Sequence, residues 1–193
     1  MSNMKHKIID RKRIGEGNWV YIEELSYSDR KGVVRTWESV GRIAGCGAVI
    51  IVATIKDSDE LFLVRQFRPP LGTYVIEFPA GLIDDGEAPD TTAVRELREE
   101  TGYTGTVISV TPRSASSPGM SEETLYFARM TVDATHSDNL TPETEFDESE
   151  DIETFKVSAS SLDDFLAKRS AAGDSIDAKL VAFALGGGLS STL

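Results

Sequence analysis

The sequence predicts a mixed sandwich of helices and strands, α+β or α/β, preceded by a small antiparallel β-sheet. Three observations lead there. Residues 17 to 44 alternate apolar and polar side chains around a turn-forming stretch. Two apolar runs follow as a second hairpin, and a well-delimited helix then interrupts the later strands before two more helical stretches close the chain.

In the first sheet, Trp19, Tyr21, Val33, Val34 and Trp37 mark the alternation, and Ser28 to Gly32 reads as the turn. The runs Ala48 to Ile55 and Leu61 to Phe67 are separated by Lys56 to Glu60, again hairpin chemistry. Arg68, Pro69, Pro70, Leu71 and Gly72 end the second run, since proline removes a ladder donor and glycine loosens the backbone. A short strand from Tyr74 to Phe78 leads into Pro79, Ala80 and Gly81. Pro89 to Thr101 reads as a helix. Pro89 suits its first turn, Asp90 complements the positive end of the dipole, Gly102 suits the stop, and Ala93, Val94 and Leu97 share a face. Strands are expected at Thr106 to Val110, Leu125 to Val132 and Glu153 to Val157. Helices are expected at Ser161 to Lys168, capped by Ser161, and at Ile176 to Leu185. The Gly- and Ser-rich tail is expected to be disordered. Residues 1–45 thus form an arm, and 46–193 the main domain.

A chain of 193 residues suits one catalytic-size domain with such an arm. Its net charge of −12 repels nucleic-acid backbones and anionic membranes, and no basic run offsets it. The longest apolar run, Ala48 to Ala53, is far short of the ~20 residues of a spanning helix. Neither nucleic acid nor membrane is therefore expected as a partner. The N-terminus is charged where a secretory leader needs an apolar stretch, and the lone Cys46 cannot form an internal disulfide. Both point to a reducing compartment, cytoplasmic or nuclear. Cys46 itself reads as a core residue at a strand start. With one Cys and two His (His6 and His136) a zinc site lacks ligands, while carboxylate sites for harder metals stay open.

Glu96 and Glu100 stand four apart on the expected helix, with Glu99 three beyond Glu96, so the three share one sector. Like charges so spaced destabilise an isolated helix by about 0.2–0.5 kcal/mol per pair. A cation among them would explain the cluster; a solvated acidic face paired by Arg95 and Arg98 is the other reading of the residues alone. Oxygen-only ligation selects Mg²⁺, Mn²⁺ or Ca²⁺, and Mg²⁺ is held by one or two carboxylates, waters and substrate phosphate oxygens.

From Gly81 to Tyr103 the chain matches the Nudix box G-x5-E-x7-R-E-U-x-E-E-x-G-U, U being aliphatic. The matching residues are Gly81, Glu87, Arg95, Glu96, Leu97, Glu99, Glu100 and Gly102, and only Tyr103 departs. The chain thus resembles Nudix hydrolases. The resemblance implies an α/β/α sandwich and metal-dependent hydrolysis of a nucleoside diphosphate linked to another moiety. It also implies metal ligation by Glu96, Glu100 and the backbone carbonyl of Ala80, with Mg²⁺ as the cation and Mn²⁺ as its substitute. Glu99 lies in the same cluster, and Arg95 orients the carboxylates.

The flanks narrow the resemblance. Pro118 lies sixteen residues beyond Gly102, as in family members acting on ADP-ribose, and Met120 stands where dinucleoside polyphosphate hydrolases carry tyrosine. The stretches Arg35 to Val40, Arg65 to Pro70 and Glu77 to Gly81 are similar to the eukaryotic ADP-sugar pyrophosphatases. That resemblance implies a homodimer with exchanged N-terminal sheets. It further implies adenine between Trp19 and Trp37, base contact from Glu38, substrate contacts from Arg42 and Arg68, and a ribose and phosphate lining that includes Ala80 and Leu82. Ser117 stands where the relatives carry an Asp that bears on the terminal sugar. In the acidic stretch Glu143 to Glu153, the family places a glutamate that reaches the metals or the attacking water. Glu150 is the best match, with Glu148 and Glu153 as alternatives. The expected activity is cleavage of ADP-ribose to AMP and ribose 5-phosphate. Another Nudix specificity (an ADP-hexose or an oxidised guanine nucleotide) and a non-cleaving ADP-ribose sensor are the alternatives.

Overall fold

The computed structural model describes residues 5–45, 47–146 and 151–188. Cys46, Glu148 and Glu150 lie outside them, and the expected tail is described only as far as Gly188. Strands β1 (Lys7–Glu16), β2 (Val20–Ser28) and β3 (Val34–Arg42) form the antiparallel arm. The β2–β3 turn is held by Asp29, whose carboxylate accepts from the Lys31 and Val33 amides and pairs with Arg35 at 2.9 Å. The sequence reading did not foresee β1. All ten of its residues are exposed, and register shifts between Ile8 and Asp10 and between Arg13 and Gly15 break the alternation that marks a strand.

The main body follows as β4 (Ala48–Ile55), β5 (Glu60–Arg68), β6 (Thr73–Glu77), β7 (Ala80–Leu82), α1 (Pro89–Thr101), β8 (Thr106–Val110), β9 (Ser114–Ala115) and β10 (Thr124–Val132). It closes with β11 (Ile152–Ser158), α2 (Leu162–Ala171), β12 (Ser175–Ile176) and α3 (Ala178–Leu185). These strands make one mixed sheet whose central pair, β4 and β10, runs parallel from Ala48↔Leu125 to Ile55↔Val132. Alternation along β4 sorts its side chains between two cores. Val49, Ile51 and Ala53 pack with Phe62, Ala93 and Leu97 under α1, while Ile50 and Val52 pack with Leu162, Leu166 and Leu180 under α2 and α3. Helices on both faces of one sheet give the expected three-layer α/β/α sandwich.

Two helix starts differ from expectation. Ser161 precedes α2, but its hydroxyl donates to the Ser158 carbonyl rather than capping the helix. Ile176 belongs to β12, and α3 begins after Asp177, whose carboxylate accepts from the Lys179 amide. Among the described residues no helix is long and apolar enough to cross a membrane.

The sheet opens on one side, and that opening positions the site. β4 and β5 share a single ladder pair, Thr54↔Leu61, and then diverge. β6 pairs with β5 from Arg68↔Thr73 to Val64↔Glu77, and β7 pairs with β4 from Ala48↔Leu82 to Ile50↔Ala80. The chain from Glu77 through Pro79 to Ala80 therefore crosses from one lip of the split to the other. α1 packs against β4 and β7 beside it.

Candidate active site

A cleft of about 610 Å³ fills this split, and its lining includes Arg42, Arg68, Glu77, Ala80, Leu82, Arg95, Glu96, Glu99, Glu100, Glu123, Glu145 and Lys179. Helix α1 supplies the acids. It is delimited by Pro89 in its first turn and by Gly102, which adopts the left-handed conformation (φ 76°) and donates its N–H to the Arg98 carbonyl. Leu97 and Ala93 are fully buried, and this fixes which helix face turns toward the strands.

The acids converge on the backbone of β7. Glu100 is 4% exposed and accepts from the Ala80 amide at 3.1 Å. The Glu96 carboxylate lies so close to Gly81 that a Cβ there would fall 1.8 Å from its Cδ. Only a residue without a side chain leaves room for Glu96 at this place.

Arg95 organises the remaining carboxylates. Its Nε and Nη2 donate to Glu87 at 3.1 and 2.9 Å, its Nη1 to Glu96 at 2.8 Å and Glu99 at 3.0 Å, and its Nη2 also to the Leu82 carbonyl. Glu87 also accepts from Thr92 Oγ1 at 2.7 Å. The Arg95 hydrogen bonds, followed by that of Thr92, hold the Glu87 carboxyl down to about 2. Conversely, Glu87 raises the Arg95 guanidinium above its ordinary value, so it stays cationic. Glu87 thus ties the loop before α1 to the helix, a role the sequence reading did not give it.

The two other arginines in the cleft are held differently. Arg42 Nε bonds Glu123 at 2.6 Å, and Arg68 Nε bonds Glu77 at 2.8 Å. Glu77 is 8% exposed, and burial raises its carboxyl above the ordinary range despite the opposing effect of Arg68. Neither glutamate was singled out from the sequence. Each meets its arginine only through tertiary structure, across strands β5 and β6 or between the arm and the segment before β10.

The arm residues lie elsewhere. Trp37 donates from its indole nitrogen to the Gly119 carbonyl at 3.0 Å and remains about half exposed, and Ser117 forms the adjoining turn by accepting from the Met120 and Ser121 amides. Trp19 is 80% exposed, and its carbonyl accepts from the Ile43 amide. Ile43 is six residues along the chain from Trp37, roughly 20 Å at the rise of a β-strand. Glu38 is exposed on β3 opposite Glu24. Trp19, Trp37, Glu38 and Ser117 do not line the cleft of the same chain.

The acidic stretch after β10 does reach it. Glu145 donates its amide to the Glu99 carbonyl at 2.9 Å and pairs with Arg98 at 2.7 Å. A Cβ on Gly102 would meet the Glu143 amide at 2.7 Å, so the chain at Pro142 and Glu143 crosses directly over the end of α1. Glu153, one of the expected alternatives, lies in register with Arg65 on β11 and pairs with it at 3.6 Å, outside the cleft.

Among the described residues no three acidic or imidazole side chains form a ready-made metal cage. The donor set still fits a hard cation. Glu96 and Glu100 bring carboxylate oxygens to the Ala80–Gly81 backbone, and a cation that keeps waters and substrate oxygens needs no more protein ligands than that.

The fold and this cleft define a class, hydrolases whose acidic site is carried by one helix of an α/β/α sandwich. Residues 46–177 match the family model of the NUDIX domain. The chain is 36% identical over 192 residues to the ADP-sugar pyrophosphatase of Mus musculus, covering 94% of this chain and 87% of that protein. It is 36% identical over 186 residues to the ADP-ribose pyrophosphatase of Saccharomyces cerevisiae, covering 90% and 80%. A crystal structure of an ADP compounds hydrolase superposes with a TM-score of 0.72 at 24% identity, over 97% of this chain and 94% of that one, and shows the same fold. The chain belongs to the NUDIX domain family.

Proposed function

We propose that this protein hydrolyses the diphosphate of ADP-ribose, and of related ADP-sugars, to AMP and the sugar phosphate, with Mg²⁺ as cofactor and Mn²⁺ able to replace it. The convergence of Glu96 and Glu100 on the Ala80–Gly81 backbone, in a cleft that also presents Arg42 and Arg68, carries the reading. The names of the mouse and yeast relatives support the substrate class. Glu96, Glu100 and the Ala80 carbonyl would hold the cation. When bound, it supplies neutralisation of the diphosphate and a lowered pKa for the attacking water.

The chain's own residues do the rest. Arg95 keeps Glu96 and Glu99 in place, and Arg42 and Arg68 take substrate oxygens as planar donors. Leu82 lines the path of the ribose and phosphates. Glu150 accepts the proton of the attacking water, so Glu150→Gln lowers turnover about 10²–10⁴-fold with little change in affinity.

Trp19 and Trp37 hold adenine between them, with Glu38 beside the base and Ser117 near the terminal sugar. Their separation along the arm is too wide for one chain to sandwich a base, since strand side chains stand perpendicular to the sheet. This supports a homodimer in which arms 1–45 are exchanged and each base lies between residues of two chains, beside bodies 46–193. A reducing, cytoplasmic setting completes the proposal.

The test is AMP release from ADP-ribose by the purified protein with Mg²⁺, beside ADP-glucose and beside Glu100→Gln. Rapid release that the variant and chelation both abolish is the expected result. No release from either sugar removes the proposed activity.

A further inference from the structure

Arginines in a cleft with surplus carboxylates have an obvious fate, and Arg95 shows it. All three of its guanidinium nitrogens are bonded to Glu87, Glu96, Glu99 and the Leu82 carbonyl. Arg42 and Arg68 line the same cleft but do not follow that pattern. Each is bonded at Nε by one glutamate, and among the described residues neither has a protein partner at Nη1 or Nη2. The exposures run the same way in both pairs. The glutamates are the inner members, with side chains 23% and 11% exposed for Glu123 and Glu77, against 43% and 41% for Arg42 and Arg68.

Both glutamates stand on fixed backbone. Glu77 is the last residue of β6, in register with Val64, and Glu123 is held by its amide to Ser121 Oγ and by its carbonyl to the Ser116 amide. Stability does not explain Glu77. A buried carboxylate is a penalty unless well paired, and a pair with a half-exposed arginine returns little. Burial pushes its carboxyl up even with Arg68 alongside, so the fold places this carboxyl where its charged form is disfavoured.

We infer that Glu77 and Glu123 are a matched pair of positioning residues, each gripping an arginine at Nε so that its terminal fork faces the substrate diphosphate instead of collapsing onto the acids of α1. A guanidinium held at Nε keeps its two terminal N–H₂ groups in a fixed plane, the geometry that phosphate oxygens accept. The grip has a second effect. Neutralised in place, neither arginine competes with a cation for Glu96, Glu99 or Glu100.

The inference rests on the proposed diphosphate hydrolysis, and the experiment separates the two. Glu77→Gln, Glu123→Gln, Arg68→Ala, Arg42→Ala and the two matching double variants are compared for KM and kcat on ADP-ribose, and for Mn²⁺ affinity by electron paramagnetic resonance without substrate. Glu123 is accessible enough that its variant tests the proposal even where Glu77→Gln fails to fold.

Each glutamine variant should raise KM about tenfold with kcat nearly kept, and should do nothing further in the background lacking its own arginine. Each should also weaken Mn²⁺ binding, and removing the freed arginine should restore it. A KM at the wild-type value, effects that add to those of the arginine variants, or Mn²⁺ binding unchanged in folded glutamine variants would each overturn the assignment. If the wild-type protein fails to cleave ADP-ribose, the proposed function falls, and the Mn²⁺ series alone still decides whether the glutamates restrain the arginines.

Discussion

Gly81→Ala isolates the placement of a single carboxylate. Gly81 lies within β7 without positive φ, so alanine suits the backbone, and the nearest obstacle is the Glu96 side chain. The new Cβ would sit 1.8 Å from Glu96 Cδ and Oε1 and 2.3 Å from Cγ. Carbon contacts settle near 3.5 Å, so the carboxylate must retreat by roughly 1.5–2 Å. The yielding group is the end of a flexible side chain, and rotamer change plus a stretched bond to Arg95 should destabilise the fold by less than about 1 kcal/mol, or about 4 °C in Tm.

Chemistry is far less tolerant of that displacement. A shift of about 1 Å in a reacting constellation lowers rates by on the order of 10²-fold, close to 2.7 kcal/mol of barrier. Calorimetry, steady-state hydrolysis of ADP-ribose and Mg²⁺ titration of the rate form the assay. The expected result is near-native Tm with turnover reduced about a hundredfold or more and a weakened Mg²⁺ dependence. Wild-type turnover would show that the Glu96 position is not what the reaction needs. Loss of folding would show that the side chain cannot yield.

The same substitution at Gly102 should do the reverse. There φ is +76° and the obstacles are the Glu143 amide and the Pro142 carbonyl carbon, so Gly102→Ala should destabilise by about 2–4 kcal/mol in urea unfolding. Glu87→Gln tests the Arg95 hub through pH. A carboxyl lowered in the folded state from 4.5 to about 2 stabilises fully above 4.5 and loses that contribution as pH falls toward 2. The stability gap between wild type and Glu87→Gln should therefore be widest at neutral pH and narrow below pH 4.5, read from denaturation midpoints. The proposed sharing of each base site between two chains predicts complementation. Trp19→Ala and Trp37→Ala should each weaken binding, and randomly mixed dimers should recover about a quarter of wild-type sites, since half are mixed and each then holds one intact site of two. No recovery would place both rings on one chain.

The helix α1 and strands β4 and β8 were legible to the residue, because their signals are local: proline and glycine at the helix ends, an apolar run in β4, and β-branched residues in β8. Strand β1 was not. It carries Ile8, Ile9 and Ile14 at half exposure beside charged residues, and its bulges erase period two. β7, β9 and β12 are two or three residues long and exist through pairing with β4, β10 and β6, which no local pattern records. At the site, the spacing of Glu96, Glu99 and Glu100 was readable because one helix carries all three. Glu77, Glu123 and Glu145 were not, since their meaning comes from Arg68, Arg42 and Arg98, between nine and 81 residues away.

The motif on α1 divides accordingly between packing and chemistry. Leu97 fills the core, Gly102 clears the path of the acidic stretch, and Glu87 with Arg95 ties the preceding loop to the helix. Glu96, Glu99 and Glu100 carry charge into the cleft. Gly81 belongs with the second group although it has no side chain, because the atoms that a side chain there would meet first are those of Glu96. The two positions should therefore be coupled. In a Glu96→Ala background the nearest obstacles to a Cβ at position 81 are gone, and Gly81→Ala should change neither Tm nor residual activity there, while remaining damaging in the wild type. A further loss in the double variant would mean that the glycine answers to the backbone of β7, and the division would have to be redrawn with Gly81 among the packing residues.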